Sequence, residues 1–438
     1  MHRPTSRAGR WPLALMLLGL GACADEPVAP RIPALSGPNA NLGDIITVST
    51  SSGGKDVGSL RWAVAQASGG EVIRFAPTLA GATIVVDSTI PVRYPVTIEG
   101  PQDKGVTISG GNARHIFDVA AGLPSATTFR NLALVNGEGS GSAGGGGMLA
   151  SSDVVLENVT VSNHNGMSYA AMFVSGNATL INTTVSSNTS ATYAAVYVEK
   201  KLTLVNSTIA YNNKGGVDVR GSLVTRNSII THNGFGANCQ NVPTFERTGR
   251  NLADDSSCGD STVMMIADAK LDSLRYNGGP AKTHAPNGAS PAINAGTECT
   301  VTVDERYVPR DATCDLGAYE FKEFTTVTVT NNASLPVDPT TGWVFVAGSV
   351  TCSANETFDL AVEVTQEPKS GRGSEVVKAA GKVTVTCSKS AQPWGIALAP
   401  SSGELGIGNA VVTTKTVAGP WIIPATATTP VKLYRGRK

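Results

Sequence analysis

The side chains that could carry acid–base chemistry in this chain are few and thinly spread. Between residues 130 and 235 the acidic residues are Glu138, Asp153, Glu157, Glu199 and Asp218. Glu199 and Arg220 are 21 residues apart. In a short-period repeat that spacing would bring Glu199, Asp218 and Arg220 to neighbouring positions. A carboxylate cluster holding calcium beside a proton-abstracting Arg is what a polysaccharide lyase needs. A surface ion pair is the plainer use of the same residues and is the expected one. Glycoside hydrolysis needs two carboxylates at a set separation. The pair Asp254-Asp255 instead stands apart, between Cys239 and Cys258. His115, His164, His232 and His284 share no ligand spacing, and His164 and His232 fall in Asn-rich turns, where a turn role is expected. No Ser/His/Asp elbow, phosphate loop or dinucleotide fingerprint is present. The Gly144-Gly-Gly-Gly147 run opens a strand, the wrong context for phosphate. No catalytic residue and no metal ligand is assigned. No cofactor is expected, with calcium entering only under the lyase alternative.

Cysteine chemistry points to a compartment. Arg3, Arg7 and Arg10 precede an apolar run, residues 11–22, that ends Leu20-Gly-Ala-Cys23. The run is too short to span a bilayer and reads as a secretory leader. Its ending resembles the bacterial lipobox, which implies acylation of Cys23 after removal of residues 1–22 and an anchor of more than one chain. Ala24 after the cysteine resembles an outer-membrane sorting signal in a host with two membranes. The expected location is therefore outside the cytoplasm, held by lipid at the outer membrane or cell surface. Residues 23–44, rich in Pro, Ala and Gly, read as a tether. Six further cysteines remain: Cys239, Cys258, Cys299, Cys314, Cys352 and Cys387. An even number outside the cytosol implies disulfides. Sequence proximity favours 239–258, 299–314 and 352–387, out of fifteen possible connectivities. None has zinc spacing with His.

The elements that must position these residues are strands. The chain has 438 residues and a formal net charge of zero, so it has no electrostatic footprint for nucleic acid. Val, Ile, Thr, Ser, Asn and Gly dominate long stretches, a mixture of strand and turn formers. An internal period organises them. Leu156-Glu-Asn158-Val-Thr-Val161, Leu180-Ile-Asn182-Thr-Thr-Val185, Leu204-Val-Asn206-Ser-Thr-Ile209 and Thr225-Arg-Asn227-Ser-Ile-Ile230 align, with a looser copy at Phe129-Arg-Asn131. The asparagines are 27, 24, 24 and 21 residues apart, and a second Asn follows six later at Asn188, Asn212 and Asn233. Such a period implies a solenoid with one coil per repeat and about three short strands per coil. Stacked coils place Asn131, Asn158, Asn182, Asn206 and Asn227 above one another, where they are expected to form a structural amide ladder at an αL bend.

The strand ahead of each bend alternates. Met172/Val174, Val196/Val198 and Val217/Val219 share the core-facing parity. Leu149, Phe173, Tyr197 and Asp218 share the other, with Tyr169 and Tyr193 in step 24 residues apart. Leu149, Tyr169, Phe173, Tyr193 and Tyr197 are thus a candidate ligand strip on the outer wall.

The opening Asp56-Val-Gly-Ser-Leu-Arg-Trp-Ala-Val64 resembles the Gly-Ser-Leu-Arg-x-Ala start of bacterial right-handed β-helix proteins. Asn277-Gly-Gly-Pro280, Ser290-Pro-Ala-Ile-Asn-Ala-Gly296, Asp304-Glu-Arg306, Arg310 and Cys314-Asp-Leu-Gly-Ala-Tyr-Glu320 resemble the closing module of the choice-of-anchor Q type. The resemblance spans residues 45–321 and implies a pectate-lyase-like right-handed parallel β-helix, extracellular and of mostly unassigned function. Solenoid ends need caps. Ser59–Ala67 is predicted to be a helical cap with Ser59 as N-cap. The module from Cys239 to Glu320 is expected to seal the other end, with Asp304, Arg306, Arg310, Asp315 and Glu320 in a buried ion-pair network.

After Phe321 the texture changes. Residues 325–438 hold about seven alternating strands, and resemble a small secreted Ig-like domain carrying a Cys352…Cys387…Gln-Pro-Trp394 pattern, in which the two cysteines could staple the sheets. The fold class expected is therefore all-β, a right-handed parallel β-helix followed by a small antiparallel β-sandwich. The function expected is that of an envelope surface protein, adhesive, structural or binding, acting as a monomer. Its expected partner is a polysaccharide or a cell-surface protein, and the alternative is a divergent calcium-dependent lyase or glycosidase.

Overall fold

The computed structural model describes residues 44–139, 144–259, 263–368, 375–417 and 422–436. Cys23, the leader and the tether up to residue 43 lie outside the described residues.

Residues 45–265 wind into a parallel β-helix whose coils contribute strands to three long sheets and to a short one of three strands, Glu138–Gly139, Asn165–Gly166 and Thr189–Ser190. The first sheet has nine strands, from Ile45–Val48 through Val154–Glu157 and Ala178–Ile181 to Thr244–Thr248. The second, also nine-stranded, runs from Thr83–Val85 through Thr160–Ser162 and Thr184–Ser186 to Val263–Met265. The third has seven, from Ile90–Val92 through Met172–Val174, Val196–Val198 and Val217–Val219 to Cys239–Gln240. Every pairing in these sheets is parallel and joins equivalent residues of adjacent coils, as in Met148↔Met172↔Val196↔Val217. The apolar parity of each strand turns inward, so like side chains pile into one continuous core: Ile98, Phe129, Leu156 and Leu180 from the first sheet, Val161 and Val185 from the second, Met172 and Val196 from the third.

The bends explain the repeated asparagines. Asn131, Asn158, Asn182, Asn206 and Asn227 all lie at φ between 45° and 57°, the αL region that Asn tolerates. The side-chain ladder expected of them is only partly formed. Asn158 Nδ2 donates to Asn131 Oδ1 at 3.4 Å, and Asn182 Nδ2 to Asn158 Oδ1 at 3.3 Å. Asn206 and Asn227 turn instead to the carbonyls of Asp315 and Thr297. The more regular ladder is the second set: Asn188 Nδ2 donates to Asn212 Oδ1 at 2.9 Å, Asn212 to Asn233 at 2.8 Å, and Asn233 to Asn238 at 2.8 Å. The same Oδ1 atoms also accept backbone N–H groups of the preceding coil.

Leu60–Gln66 is the predicted helix, with Ser59 Oγ accepting from Trp62 N at 3.1 Å. Leu60, Ala63 and Val64 enter the core, and buried Arg61 donates to the carbonyls of Thr89 and Ser88. The closing module departs from expectation. The Cys239–Cys258 loop does lie at the last coil, but from about residue 266 the chain runs back along the side of the helix as a strap. It reaches the early coils, where Gly105 N donates to the Pro280 carbonyl and Tyr276 to that of Asp103. The physical cause lies in the outer face of the second sheet. Ile229 and Leu252 there are apolar and pack under Ala269, Ala292, Ala295 and Leu316 of the strap. Thr160, Thr184 and Thr208 find their hydrogen-bond partners in it too. Val301 likewise covers Ile181 and Val205 on the first sheet.

Residues 325–435 form an antiparallel-rich sheet around a separate core that includes Val346, Leu360, Val362, Cys387, Trp394 and Leu433. Among the described residues the strands hydrogen-bond into one continuous sheet rather than two, and number ten with two parallel pairs rather than about seven. Cys352 and Cys387 are bonded, as are Cys299 and Cys314 in the strap.

Candidate functional site

The outer face of the third sheet carries one column in register: Asp118, Leu149, Phe173, Tyr197, Asp218 and Gln240. Because inward and outward residues alternate, a hydrophobe at each outward position of adjacent coils must meet its copy one coil away. Phe173 and Tyr197 accordingly stack at 4.6 Å between centroids. Tyr169 and Tyr193 precede the same strands and stack at 5.1 Å. Tyr169 also touches Phe173 at 5.5 Å and Tyr197 at 4.6 Å, so the four rings form one cluster with Leu149 beside it. Tyr169 is buried beneath the others, Phe173 and Tyr197 are half-buried, and Tyr193 is 41 % exposed. Met167, two residues before Tyr169, is exposed, and its carbonyl accepts from Thr192 Oγ1 beside Tyr193.

The charged residues foreseen for this wall take different places. Arg220 pairs with Asp218 at 3.2 Å and lies over the Tyr197 ring at 5.8 Å. Asp218 keeps its place in the outward column but is covered there; it is fully buried and accepts from Asn241 as well. Burial holds its carboxyl above the usual range, against the opposing pull of Asn241 and Arg220. Burial, reinforced by Asp218, pushes the Tyr169 hydroxyl up to about 12, so it remains a donor. Exposed Glu199 lies beside Tyr197 but forms no ion pair with Arg220.

The histidines serve the bends. His164 occupies the ladder position ahead of Asn188 and is fully buried. Gly137 N donates to its Nδ1 at 2.8 Å, which leaves Nε2 to donate to the Leu134 carbonyl at 2.9 Å. Gly147, the last of the glycine run before Met148, faces this ring: a Cβ there would stand 3.0 Å from His164 Nε2. His232 sits at an αL corner, with its N–H on Asp254, while Asp255 caps the turn Ser256–Cys258.

Two groupings gave no clear sequence signal. The first is a column of alternating charge on the outer face of the first sheet, Arg74–Glu99–Arg130–Glu157, with ion pairs of 2.8, 3.3 and 2.6 Å. It lines a cleft of about 650 Å³ closed on one side by Thr302, Val303 and Tyr307 of the strap. These residues are 25, 31 and 27 apart, so only coil-by-coil register would have revealed them. The second is Glu305, flanked in sequence by the foreseen network. Asp304–Arg306 and Arg310–Glu320 are buried pairs at 2.6 and 3.1 Å, and Asp315 accepts from Asn294 and Phe321. Glu305 is fully buried against Thr160 and Thr184. Thr160 has one proton, and its oxygen lies 2.5 Å from the Lys282 carbonyl, which can only accept. The 3.0 Å contact of Glu305 Oε1 with Thr160 therefore takes its proton from Glu305, and burial raises that carboxyl well above its ordinary range.

Residues 95–258 match the family model described as right handed beta helix region. No curated protein matches the chain in sequence. Among solved structures, the chain is similar to a Paenibacillus chitinase titled a bacterial cell-surface-expressed multi-modular enzyme machinery. Identity is 11 %, and the match covers 83 % of this chain and 24 % of that one, at a TM-score of 0.14. The chain thus spans about a quarter of that protein's length.

Proposed function

We propose that this β-helix protein is held at a bacterial envelope by lipid on Cys23 and binds an extended polysaccharide along the third sheet without transforming it. The observation that carries the reading is the four-ring cluster of Tyr169, Phe173, Tyr193 and Tyr197 on an outer wall. The hydrogen bonds of the strap go to the first and second sheets and leave that wall aside. Contiguous apolar surface that a protein leaves in solvent usually has a partner. Here the ring edges and Met167 supply apolar contact for the CH faces of sugars. The tyrosine hydroxyls, Glu199 and Arg220 supply hydrogen bonds at the rim. Successive rings follow the helix axis at the spacing of its coils, which suits a linear polymer rather than a compact ligand. Three disulfides fit an oxidising compartment.

The test is binding of the mature protein to a polysaccharide panel with and without calcium, beside a Phe173→Ala/Tyr197→Ala variant. The reading expects binding by the wild type and about tenfold weaker binding by the variant, as loss of a ring contact implies. Unchanged binding by the variant would remove the site. Release of unsaturated sugar in the calcium lanes would replace binding by lyase chemistry.

A further inference from the structure

The C-terminal sheet carries a second group of aromatic side chains, with a different geometry. Strand Val344–Cys352 buries Val344, Val346 and Val350 and turns Phe345 outward. Trp343 immediately precedes it. Phe345 pairs across to Ala397 on one flank, Val344 to Val337 on the other, and Pro336 to Tyr434 beyond. Tyr434, Pro336, Phe345 and Ala397 therefore share an outer face next to Trp343. Trp343 and Phe345 are each 49 % exposed and Tyr434 47 %. A shallow cavity of about 580 Å³ lies among them, lined by Pro336, Trp343, Phe345 and Ala397, with Asp338 and Arg435 also on its wall.

Two details make this a receptive surface. On the β-helix the rings are stacked on one another, so their faces are used. Among the described residues no ring here contacts another, and the ring faces are free to be covered. Phe345 also reaches over Gly395, where a Cβ would come within 2.6 Å of the ring tip. The glycine gives the ring its seat and keeps it low on the sheet. Arg435 makes no ion pair among the described residues, and Asp338 is tied to its own turn through Thr340 N at 2.8 Å.

We propose that this face is a saccharide-binding site that takes neutral pyranose units by stacking on Trp343 and Phe345. Arg435 supplies donors to the ring hydroxyls. A peptide partner fits the same face less well. The strand bearing Phe345 pairs along its length with Gln392–Leu398 on one flank, and on the other Val344 pairs with Val337 while Asp338 N donates to the Trp343 carbonyl, so little backbone edge beside the rings is left for strand addition. Recognition must come through ring faces, and the apolar side of a pyranose matches these. The site is independent of the one on the third sheet and would give the chain two contacts with one polymer, which raises overall affinity without new chemistry.

The experiment titrates the mature protein with neutral oligosaccharides of glucose, xylose and N-acetylglucosamine. Tryptophan fluorescence and calorimetry follow the wild type, Phe173→Ala/Tyr197→Ala, and that double variant with Trp343→Ala, Phe345→Ala or Trp343→Tyr added. The expected result is saturable binding by the wild type. In the Phe173→Ala/Tyr197→Ala background, which removes the third-sheet site, one saturable binding event remains; adding Trp343→Ala or Phe345→Ala weakens it about tenfold or more, and Trp343→Tyr in the same background largely keeps it. Binding that survives the C-terminal alanine substitutions in the Phe173→Ala/Tyr197→Ala background, or no binding of any sugar by the wild type, overturns the proposal. Loss in the double variant alone would uphold the β-helix site and reject this one, so the two assignments fail separately.

Discussion

His164 should make the β-helix acid-sensitive. Its Nδ1 accepts from Gly137 N and its Nε2 donates to the Leu134 carbonyl, so the neutral ring satisfies both neighbours. A proton on Nδ1 would set one N–H against another inside the core. Burial accordingly lowers the ring's pKa to about 4 from 6.5. The neutral form is the one folding favours. The stability it brings is fully present above pH 6.5 and drains away as the pH falls towards 4. The difference of about 2.5 units corresponds to roughly 3 kcal/mol in full, of which about 2 kcal/mol is lost by pH 5. The assay is urea unfolding at pH 7.5 and pH 5, followed by circular dichroism, for the wild type and His164→Asn. Asparagine is chosen because it continues the column of Asn188, Asn212 and Asn233 without a titrating group. The wild type should lose about 2 kcal/mol more than the variant between the two pH values. Equal losses would refute the reasoning, because the other titrating groups are common to both proteins.

Glu305 should act with the opposite sign. Its raised pKa means that its contribution is present below the ordinary carboxyl range and is lost as pH rises through the folded value. Glu305→Gln keeps a neutral donor, so amide exchange in residues 266–321 should match the wild type at pH 4 and be slower than the wild type at pH 8. Asn212→Ala should cost about 3 kcal/mol, because it removes the Oδ1 that accepts from both Asn188 N and Asn188 Nδ2 in the core, together with its own donation to Asn233 Oδ1. Asn206→Ala should cost only about 1 kcal/mol, since its Oδ1 has no partner and its one side-chain bond is 3.4 Å long; similar losses from the two substitutions, measured by urea midpoint, would remove the distinction between the ladders. Replacing Cys299 and Cys314 by serine opens a loop with a sequence separation of 15, worth about 3 kcal/mol of constraint. The loss should appear as faster exchange in the strap while the amides of Val161 and Val185 stay protected; uniform loosening would show that the strap and the coils unfold together.

How much of this was legible follows from what repeats. Met172, Val196 and Val217 recur with the coil, so their inward parity could be read before any coordinates, and so could the alignment of Phe173 with Tyr197. The αL bends at Asn158 and Asn182 were legible for the same reason, since one residue type met the same backbone need in every turn. What the periodicity could not show was the environment of each copy. Asn131 and Asn206 are equivalent in the repeat, yet one accepts from Asn158 and the other meets the carbonyl of Asp315, more than a hundred residues away.

That difference comes from the strap, which has no period of its own and was read as an end cap. Its course is nonetheless a consequence of the repeat. Thr160, Thr184 and Thr208 put hydroxyls, and Ile229 and Leu252 apolar groups, on the outside of the second sheet. Uncovered, that face would leave Thr160 and Thr184 without their contacts to Glu305 and the apolar side chains in water. Covering it fixes which outer walls remain open. Through its Val303 and Tyr307 the strap narrows the cleft beside Arg130 and Glu157, while the wall of Phe173 and Tyr197 stays in solvent. The placement of a candidate binding surface on this molecule is therefore decided by a segment that contributes no residue to it. A strap-loosening substitution such as Cys299→Ser with Cys314→Ser should leave saccharide binding on the third sheet unchanged, and a parallel loss of binding would show that the two walls are coupled.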